Sequence, residues 1–360
     1  MNPEQRLEAL RTLVGQIRDE EYPYEERPTP TTEWASYDEA QIHETNDVLD
    51  LIPELVELAQ GRVDARTIAL PRRGQPATPA ADITKILLAQ SFLQRANRPA
   101  EGLGLLFREK LRIASRVSYK TIERAFDRVG VARLLDEVFL LTNEPVRGLE
   151  RVFSGDGSGS PKRVGVHYPK DRERERDKGE TSDALSGHPG DYAYHFAIVG
   201  VKYKVLAGWR GVAQVRKGSG EHSLFPKAMA VLAQTGHTVE AVLGDGLMAT
   251  RPCCRIVAEL GAKPYFLPKR NTTFKSHGVH AWVRMVADLL DHPQEWLEQF
   301  HMRSISEATF SVFNRANPRP LRKKLERRVE TEDYLRGIVY NIKRLAYLRY
   351  MADIHPLPDA

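Results

Sequence analysis

Apolar residues recur at helical spacing in the first part of the chain. Two amphipathic patterns, at about 3–19 and 39–60, lie on either side of a connector rich in proline, threonine and glutamate. Each pattern predicts a helix that buries one face and leaves the other in water. We therefore predict an N-terminal helical segment over residues 1–65.

A second proline-containing connector, residues 66–81, leads into another helical region over 82–148. In this region Asp82 and Ser118 are predicted N-caps, and Gly130 is a predicted helix stop. Short helices of this kind are typical of a helix-turn-helix-like DNA-binding unit. They are equally typical of any small helical bundle, and the pattern leaves both interpretations open.

From about residue 149 the pattern changes to strands that alternate with helices. Strands are predicted in "RVFSGDG", in the hairpin-like "YAYHFAIVGVKYKVLAGWRGV", and in "TVEAVLGDG" and "KPYFLP". Between them lie a helix that Gly236 ends and a second helix from Thr250 to Gly261, and a helical segment with breaks covers about 280–316. This order predicts an α/β domain over 149–350, in which helices flank a mixed sheet.

Two further segments lie outside this alternation of strands and helices. Residues 161–191 carry alternating charges and turn formers and predict a mobile surface loop. His167 and His188 lie within it and are interpreted as surface histidines, not metal ligands. Residues 351–360 are predicted to form a C-terminal tail.

Composition narrows the class of protein. Of the 360 residues, 41% are hydrophobic and 28% are charged, as in an ordinary soluble globular protein. The chain has no run of about eighteen apolar residues and a charged N-terminus, so we expect no transmembrane helix, no secretory signal and a cytoplasmic location. Cys253 and Cys254 are adjacent, which suits neither a zinc knuckle nor an unstrained disulfide, so two buried thiols are expected.

The net charge is only +5, but the basic residues are concentrated in one block. Between Arg315 and Arg328, seven lysines and arginines stand against the single acid Glu326. Such a block is expected of a protein that contacts a phosphate backbone. A solvated basic face would have the same composition.

Two aspartates occur in the same local sequence. Asp156 in "FSGDG" and Asp245 in "VLGDG" each follow a predicted buried strand and lie between glycines, which leave room for a large charged ligand. Each could simply cap a turn. If the two carboxylates come together, they repel unless a cation lies between them, and hard oxygen ligands of this kind suit Mg²⁺ or Mn²⁺.

A third acid lies on a predicted helix. Arg303 and Glu307 are four residues apart in "FHMRSISEATFSVFNR" and so share one face, while Phe310 and Phe313 can pack inward. An isolated pair of this kind is usually a weak surface salt bridge. Here the basic block follows directly, which would suit DNA lying over the helix.

The three acids in this order resemble a known catalytic set. Asp156, Asp245 and Glu307, spaced by 89 and 62 residues, resemble the DDE triad of bacterial and archaeal insertion-sequence transposases with a ribonuclease-H-like catalytic domain. Three further segments look like parts of the same domain: "GSGEHSLFPKAM", "AVLGDGLMAT" and "PYFLPKRN". The resemblance covers roughly residues 80–350.

The glutamate helix is similar to the family's signature, which reads tyrosine, two residues, arginine, three residues, glutamate, six residues, lysine. The residues at these four positions are Phe300, Arg303, Glu307 and Asn314. The first and last therefore depart from the signature. The late segment "LRGIVYNIKRLAYLRY" resembles the closing helix of the family, with Tyr340 and Asn341 in place.

The resemblance implies a ribonuclease-H-like sheet, an all-helical N-terminal region that binds the terminal inverted repeats, and DNA transposase activity. Asp156, Asp245 and Glu307 would be catalytic and would hold two divalent ions, Mg²⁺ or Mn²⁺. Water would cut the element's ends, and the freed 3′-OH would then attack target DNA. Double-stranded DNA would be the partner of a homodimer, with a nucleoid-associated location.

Phosphate contacts are expected from basic side chains near the acids, from the basic block and from the position that holds lysine in the signature. These expected DNA-contacting residues are Lys269, Arg270, Arg303, Asn314, Arg315, Arg322 and Lys323. Two alternatives remain from the sequence. One is a catalytically idle DNA-binding protein derived from a transposase, and the other is a metal-dependent nuclease of the same fold that cuts without joining.

Overall fold

The computed structural model describes residues 2–24, 31–66, 77–163, 192–214 and 220–358. Of the predicted loop 161–191, only the start lies within these ranges. There Pro161 ends a strand, and Lys162 forms a β-bridge with Leu321. His167, His188 and most of the predicted linker lie outside the described residues.

The described part of residues 1–148 is predominantly helical, as predicted. Its helices are α1 Pro3–Arg18, α2 Trp34–Ala65, α3 Ala80–Phe92, α4 Asn97–Leu106, α5 Tyr119–Ala125 and α6 Val129–Leu141, followed by a 3₁₀ turn at Glu144–Val146. The start of α1 shows why a helix forms where it does. Asn2 and Gln5 make a reciprocal capping box, which satisfies two backbone N–H groups that have no partner inside the helix.

Two of the three predicted cap positions in the second helical region differ from the structure. Ser118 is the N-cap of α5, as predicted, and its hydroxyl accepts the backbone N–H of Thr121. Asp82 is not an N-cap, because α3 already begins two residues earlier. Its carboxylate is buried in the first turn, where it accepts the N–H of Ala114 at 3.2 Å.

Gly130 does not end a helix. The chain leaves α5 at Phe126, so Gly130 falls in the first turn of α6. A glycine near either helix end gives the same sequence signal, and only the position of the preceding turn separates the two cases.

The second half contains five strands and the remaining helices. The strands are β1 Val152–Pro161, β2 Tyr192–Gly200, β3 Leu206–Val212, β4 Ala241–Gly244 and β5 Lys263–Phe266. The helices are α7 Glu221–Gln234, α8 Arg251–Glu259, α9 His280–Asp291, α10 Pro293–His301, α11 Ser304–Ala316 and α12 Glu326–Met351.

The strands form one mixed sheet in the order β3-β2-β1-β4-β5. Strands β1, β2 and β3 are antiparallel neighbours, whereas β4 runs parallel to both β1 and β5. The short strand β4 is buried at every position, as expected of a parallel strand with helices on both faces. The predicted mixed α/β sheet flanked by helices and preceded by a helical region is therefore confirmed.

Helix ends in this half follow the predicted chemistry. Thr250 is the N-cap of α8, and its hydroxyl accepts the N–H of Cys253. Gly236 and Gly261 follow α7 and α8 with φ of +74° and +77°, in the left-handed region that side-chain-bearing residues rarely adopt. These helices end where glycine permits the chain to reverse.

Two large apolar clusters hold the molecule together. The first joins α2, α3, α6 and α12 to the β2–β3 side of the sheet, with Trp209 at the contact. The second joins β1, β4, β5, α7, α8 and α9, and it includes Leu10 and Val14 of α1. The two N-terminal helices thus pack into different clusters.

The closing helix α12 contacts the sheet through buried polar side chains. Asn341 is fully buried; its side chain accepts the N–H of Leu206 and donates to the Leu206 carbonyl, each at 2.8 Å. Nearby, the buried Asp333 accepts a hydrogen bond from Ser160 of β1 and contacts the His195 ring of β2 at 2.9 Å. These contacts fix α12 against three strands.

None of the helices in the described ranges combines the length and the apolar character that crossing a membrane requires. Cys253 and Cys254 are both buried and free, which confirms the prediction of two buried thiols.

Candidate active site

The register of the parallel strands brings Asp156 and Asp245 to the same place. Strands β1 and β4 pair up to Gly155 opposite Gly244, so each aspartate is the next residue after the last pair. Neighbouring positions in parallel strands point the same way, and both carboxylates therefore emerge at one edge of the β1–β4 pairing. The prediction that Asp156 ends its strand was wrong. Strand β1 continues to Pro161 because its other edge stays paired with β2.

Glu307 reaches this edge through a specific helix contact. The buried hydroxyl of Ser154, on β1, donates to the carbonyl of Arg303 and contacts the hydroxyl of Ser306, each at 3.1 Å. Ser306 donates to the same carbonyl at 2.8 Å. The first turn of α11 is thus fastened to β1 two residues before Asp156, and Glu307 lies in that turn.

Three other acids lie close enough to Asp156 for their charges to shift its pKa. Burial is the main cause that raises the pKa of Asp156 to about 6; the negative charges of Glu221, Asp245 and Glu307 act in the same direction, and the hydrogen bond that Gly157 N–H donates opposes them. Four carboxylates therefore lie near one edge of the sheet. Such repulsion is what a bound cation would relieve.

Glu221 is a member of this group that the sequence reasoning missed. It is the first residue of α7, and its carboxylate accepts a hydrogen bond from the hydroxyl of Tyr194 on β2. Burial and this carboxylate raise the pKa of Tyr194, so the phenol stays protonated as the donor. The one available signal was an acid at the start of a helix, directly after a glycine.

Gly157 explains why a glycine follows the first aspartate. A Cβ atom at this position would overlap the Tyr194 hydroxyl and stand 2.7 Å from Glu221 Oε1. The predicted role of the glycines, clearance for a charged ligand, here takes the form of clearance for a hydrogen-bonded pair.

In the structure each acid of the predicted triad is held by local contacts. Asp156 accepts the N–H of Gly157, Asp245 accepts the N–H of Leu247 at 2.9 Å, and Glu307 forms an ion pair with Arg303 at 2.8 Å. As placed, no three His, Cys, Asp or Glu side chains among the described residues form a group that could hold a metal ion. The carboxylate oxygens of these three acids suit a hard cation. In the structure the carboxylate of Glu307 pairs with the guanidinium of Arg303.

Phe300, at the tyrosine position of the signature, has a packing role. It is buried, stacks on Trp296 with ring centroids 5.2 Å apart, and carries the guanidinium of Arg303 over its ring at 5.2 Å. Arg303 Nε is itself buried without a hydrogen-bond partner. The aromatic ring therefore positions the arginine that pairs with Glu307, and it does so without a hydroxyl.

Comparison with known proteins gives one match that covers nearly the whole chain. No protein-family model matches the sequence. Over 349 residues the chain is 27% identical to a probable transposase for an insertion sequence element of Archaeoglobus fulgidus, and the alignment covers 95% of each protein. The chain is thus similar to a probable insertion-sequence transposase over nearly its whole length. The similarity includes the N-terminal helices as well as the sheet, which is more than the residues 80–350 on which the resemblance rested.

The basic loop after β5 is held by the N-terminal helix. Lys269 is exposed, but Arg270 donates to Asp19 at 2.8 Å, with the two side chains forming a bidentate pair. Arg18 donates to the carbonyls of Pro268 and Leu267 at 2.8 and 3.1 Å. Of the two predicted contact residues in this loop, Arg270 is thus already paired in the structure.

Arg18 is a second residue that the sequence reasoning missed. Its guanidinium lies beside the turn after Asp245, so close that a Cβ atom on Gly246 would stand 2.7 Å from it. It brings a positive charge to the acidic edge from about 230 residues away in the chain. No local sequence signal marks this contact.

The remaining predicted contact residues fall into two groups. Asn314 and Arg315 are exposed at the end of α11. Arg322 donates to the carbonyl of Gln94, and Lys323 is buried against Glu123 and the ring of Phe126. Part of the basic block therefore fastens the chain to the N-terminal helices, and neither of the two open interpretations included this role.

Proposed function

We propose that the protein is a DDE transposase, which cuts the ends of an insertion sequence and joins the freed 3′-OH to target DNA. The observation that carries the proposal is that Asp156 and Asp245 follow the last paired residues of adjacent parallel strands, with Glu307 and Glu221 close enough to raise the pKa of Asp156. The similarity to a probable transposase along nearly the whole chain supports it. The strand order, with the two aspartates on adjacent parallel strands, supports a ribonuclease-H-like catalytic domain.

Asp156, Asp245 and Glu307 would hold two divalent ions, Mg²⁺ or Mn²⁺, because their oxygens are the ligands that these cations prefer. When bound, such a pair of ions activates the attacking oxygen and stabilises the charge on the leaving 3′ oxygen. Glu221 adds a fourth carboxylate to the group, and Tyr194 fixes its orientation by donating a hydrogen bond.

The protein's own groups would position the DNA strand at this edge. In the structure Arg303 pairs with Glu307. Once Glu307 binds a divalent ion, Arg303 would be free to contact a phosphate, while the Phe300 ring would continue to pack against its guanidinium. Arg18 lies beside the turn after Asp245, and Lys269 is exposed in the loop after β5, the strand next to β4. Arg315 and Asn314 lie further along α11 and would contact the backbone beyond it.

Double-stranded DNA is the proposed partner, both as the element's ends and as the target. The helical N-terminal region would bind the terminal repeats. A homodimer on the DNA would pair the two ends.

The test is a Mg²⁺-dependent cleavage and strand-transfer assay on DNA that carries the element's ends. Asp156→Asn, Asp245→Asn and Glu307→Gln should each lower the rate at least about a hundredfold, equivalent to about 3 kcal/mol of transition-state stabilisation. The matched control is Glu259→Gln, an exposed glutamate on α8, which should keep the wild-type rate. Full activity in all three variants would refute the catalytic assignment.

The same assay separates the two alternative functions. A wild-type protein that binds the ends and never cuts them would be an idle DNA-binding protein. A wild-type protein that cuts and yields no joined product would be a nuclease.

A further inference from the structure

A cavity of about 470 Å³ lies beside α11, the helix that carries Glu307. Helices α2, α3, α11 and α12 form its walls, and the turn between β2 and β3 closes one side. From α11 the residues Thr309, Val312 and Arg315 line it. Its volume falls within the range of small-ligand pockets in proteins, which is roughly 300–1,000 Å³.

The charge of the lining is strongly one-sided. Five lysines and arginines line the cavity against a single carboxylate, Glu44, and Glu44 is already paired with Lys343 at 3.2 Å. Arg336 lies near Asp333 and Glu332, which offset part of its charge. Lys204 and Arg344 have no such compensation.

Lys204 and Arg344 face each other in a half-buried setting. Burial lowers the pKa of both groups, and the positive charge of Arg344 lowers that of Lys204 further. Arg344 is held by the carbonyl of Tyr203 at 2.7 Å and by the ring of Tyr347, 4.6 Å from its guanidinium carbon. No carboxylate among the described residues forms an ion pair with either side chain. Two like charges held close together at half-buried positions repel each other, and an anion bound between them would relieve this repulsion.

The backbone at Lys204 supports the same interpretation. Its φ is +58°, in the left-handed region where glycine or asparagine is usual and lysine costs about 1 kcal/mol or more. The turn is fixed from the other side, since the Tyr340 hydroxyl donates to the Lys204 carbonyl at 3.0 Å. The turn thus holds the backbone of Lys204, which lines the cavity, in a strained conformation.

The rest of the lining suits an aromatic ring with polar substituents. Tyr37 and Tyr347 pack edge to face with centroids 6.3 Å apart, and Phe92 and Val339 add apolar surface. Thr309 Oγ1 is buried and makes no well-formed hydrogen bond, and the Tyr340 hydroxyl is a polar group close to it. The cavity thus offers cations for a phosphate and tyrosine rings for a planar group.

We propose that this cavity binds one nucleotide unit, with its phosphate between Lys204 and Arg344 and its base against Tyr347. The phosphate ester comes either from a free nucleotide or from a nucleotide of a DNA strand. The site is separate from the acidic edge, and binding there needs neither cleavage nor a divalent ion. Because α11 carries Glu307 and lines the cavity, an occupant would contact the helix that holds the catalytic glutamate.

The experiment is calorimetric titration of the full chain in EDTA with deoxyadenosine monophosphate, with a short single-stranded oligonucleotide and with inorganic phosphate. Lys204→Gly removes the cation and suits the left-handed backbone, so it should fold at least as well as wild type. Arg344→Gln removes the second cation. Each substitution should weaken nucleotide binding about tenfold or more, the usual effect of losing one charge-assisted hydrogen bond.

Lys202→Gln is the matched control, because Lys202 is an exposed lysine in the same turn that does not line the cavity. It should change affinity by no more than about twofold. Melting temperatures confirm that each variant is folded. Dependence on Lys204 and Arg344 with the mononucleotide identifies a free nucleotide as ligand, and dependence with the oligonucleotide alone identifies a DNA strand.

The proposal is overturned if neither nucleotide ligand binds, or if binding is unchanged in both cavity variants, or if Lys202→Gln weakens it as much. Since the titration contains no divalent ion and no element ends, its outcome is independent of whether the protein cuts DNA.

Discussion

At the scale of single residues, the acidic edge depends on what surrounds each carboxylate. Asp156 is flanked by two glycines with different neighbours: a Cβ at Gly155 would press on the Phe196 ring and the Ile198 Cδ1 methyl group, and one at Gly157 would collide with Tyr194. Ser154 fastens the helix that carries the third acid. The functional unit on β1 is therefore four successive residues, of which only one is a candidate ligand.

Gly157→Ala should disturb the site more than the fold. The new methyl group collides with the far ends of Tyr194 and Glu221, which can swing away, so the backbone is spared and their hydrogen bond is lost. We expect a loss of about 1–3 kcal/mol in the free energy of unfolding and a severe loss of DNA cleavage. Urea denaturation and the cleavage assay measure the two effects.

Gly159→Ala is the matched control on the same strand. A Cβ atom there would lie 3.4 Å from the Tyr192 ring and 3.7 Å from the Ala193 carbonyl oxygen, which are ordinary contacts. Its stability and activity should stay close to wild type. Equal behaviour of the two variants would show that the Tyr194–Glu221 pair is irrelevant to the site.

At the scale of elements, the closing helix α12 organises the molecule. It packs against α2 and α3 of the helical region and against β3 of the sheet. Asn341 provides the contact that apolar packing cannot, since it bonds both backbone groups of Leu206 at the start of β3 and also donates to Thr142 at the end of α6. One side chain thus joins three elements.

Asn341→Leu should destabilise the protein by about 1–3 kcal/mol, because the buried Leu206 N–H loses the oxygen that accepts from it. The free energy of unfolding in urea is the measurement. Arg349→Leu, at an exposed position of the same helix, is the control and should change stability by less than about 0.5 kcal/mol. A loss in Asn341→Leu no larger than in the control would mean that apolar packing alone fixes α12.

At the scale of the whole molecule, polar contacts join the helical region to the sheet domain. The ion pairs of Arg328 with Glu123 and Asp127 connect α12 to α5. His237, just before β4, contacts the Arg147 carbonyl and the Asn143 side chain. Several charged residues that would suit a free DNA-binding surface are thus used to hold the chain together.

His237 makes the stability of the molecule depend on pH. Burial lowers its pKa to about 4 from an ordinary value of 6.5, so the folded protein prefers the neutral ring. Its contribution is complete above about pH 7 and is lost as the pH falls from about 6.5 towards 4. Between pH 7.5 and pH 5, wild type should lose about 1–2 kcal/mol more stability than His237→Gln.

Urea denaturation at the two pH values measures this difference. His222→Gln, an exposed histidine on α7, is the control and should show the wild-type pH dependence. If His237→Gln loses as much stability as wild type, then the histidine is protonated in the folded protein and the interpretation fails.

Much of the fold follows from local sequence signals. The boundaries of α7 and α8, the cap at Thr250 and the buried strand before Asp245 were predictable, because caps, left-handed glycines and apolar runs act within a few residues. The predictions for Asp82 as an N-cap and for Gly130 as a helix stop were wrong, because a signal of this kind is purely local. A cap or stop residue near a helix end does not by itself show on which side of the end it lies.

The sequence by itself determined the mixed α/β class and the concentration of basic residues after α11, and it predicted Asp156, Asp245 and Glu307 as candidate metal ligands. The tertiary structure decided what these groups face. The register of β1 with β4 places Asp245 beside Asp156, and the Ser154 contact brings the turn that carries Glu307. The pairing of β1 with β2 and the start of α7 bring Tyr194 and Glu221, and α1 brings Arg18. The packing of the helical region against the chain around α12 pairs Lys323 with Glu123, and it leaves Lys204 and Arg344 without an ion-pair partner among the described residues. Such contacts join residues tens to hundreds of positions apart, and their geometry is set by the packing of whole elements, which no local pattern in the chain records.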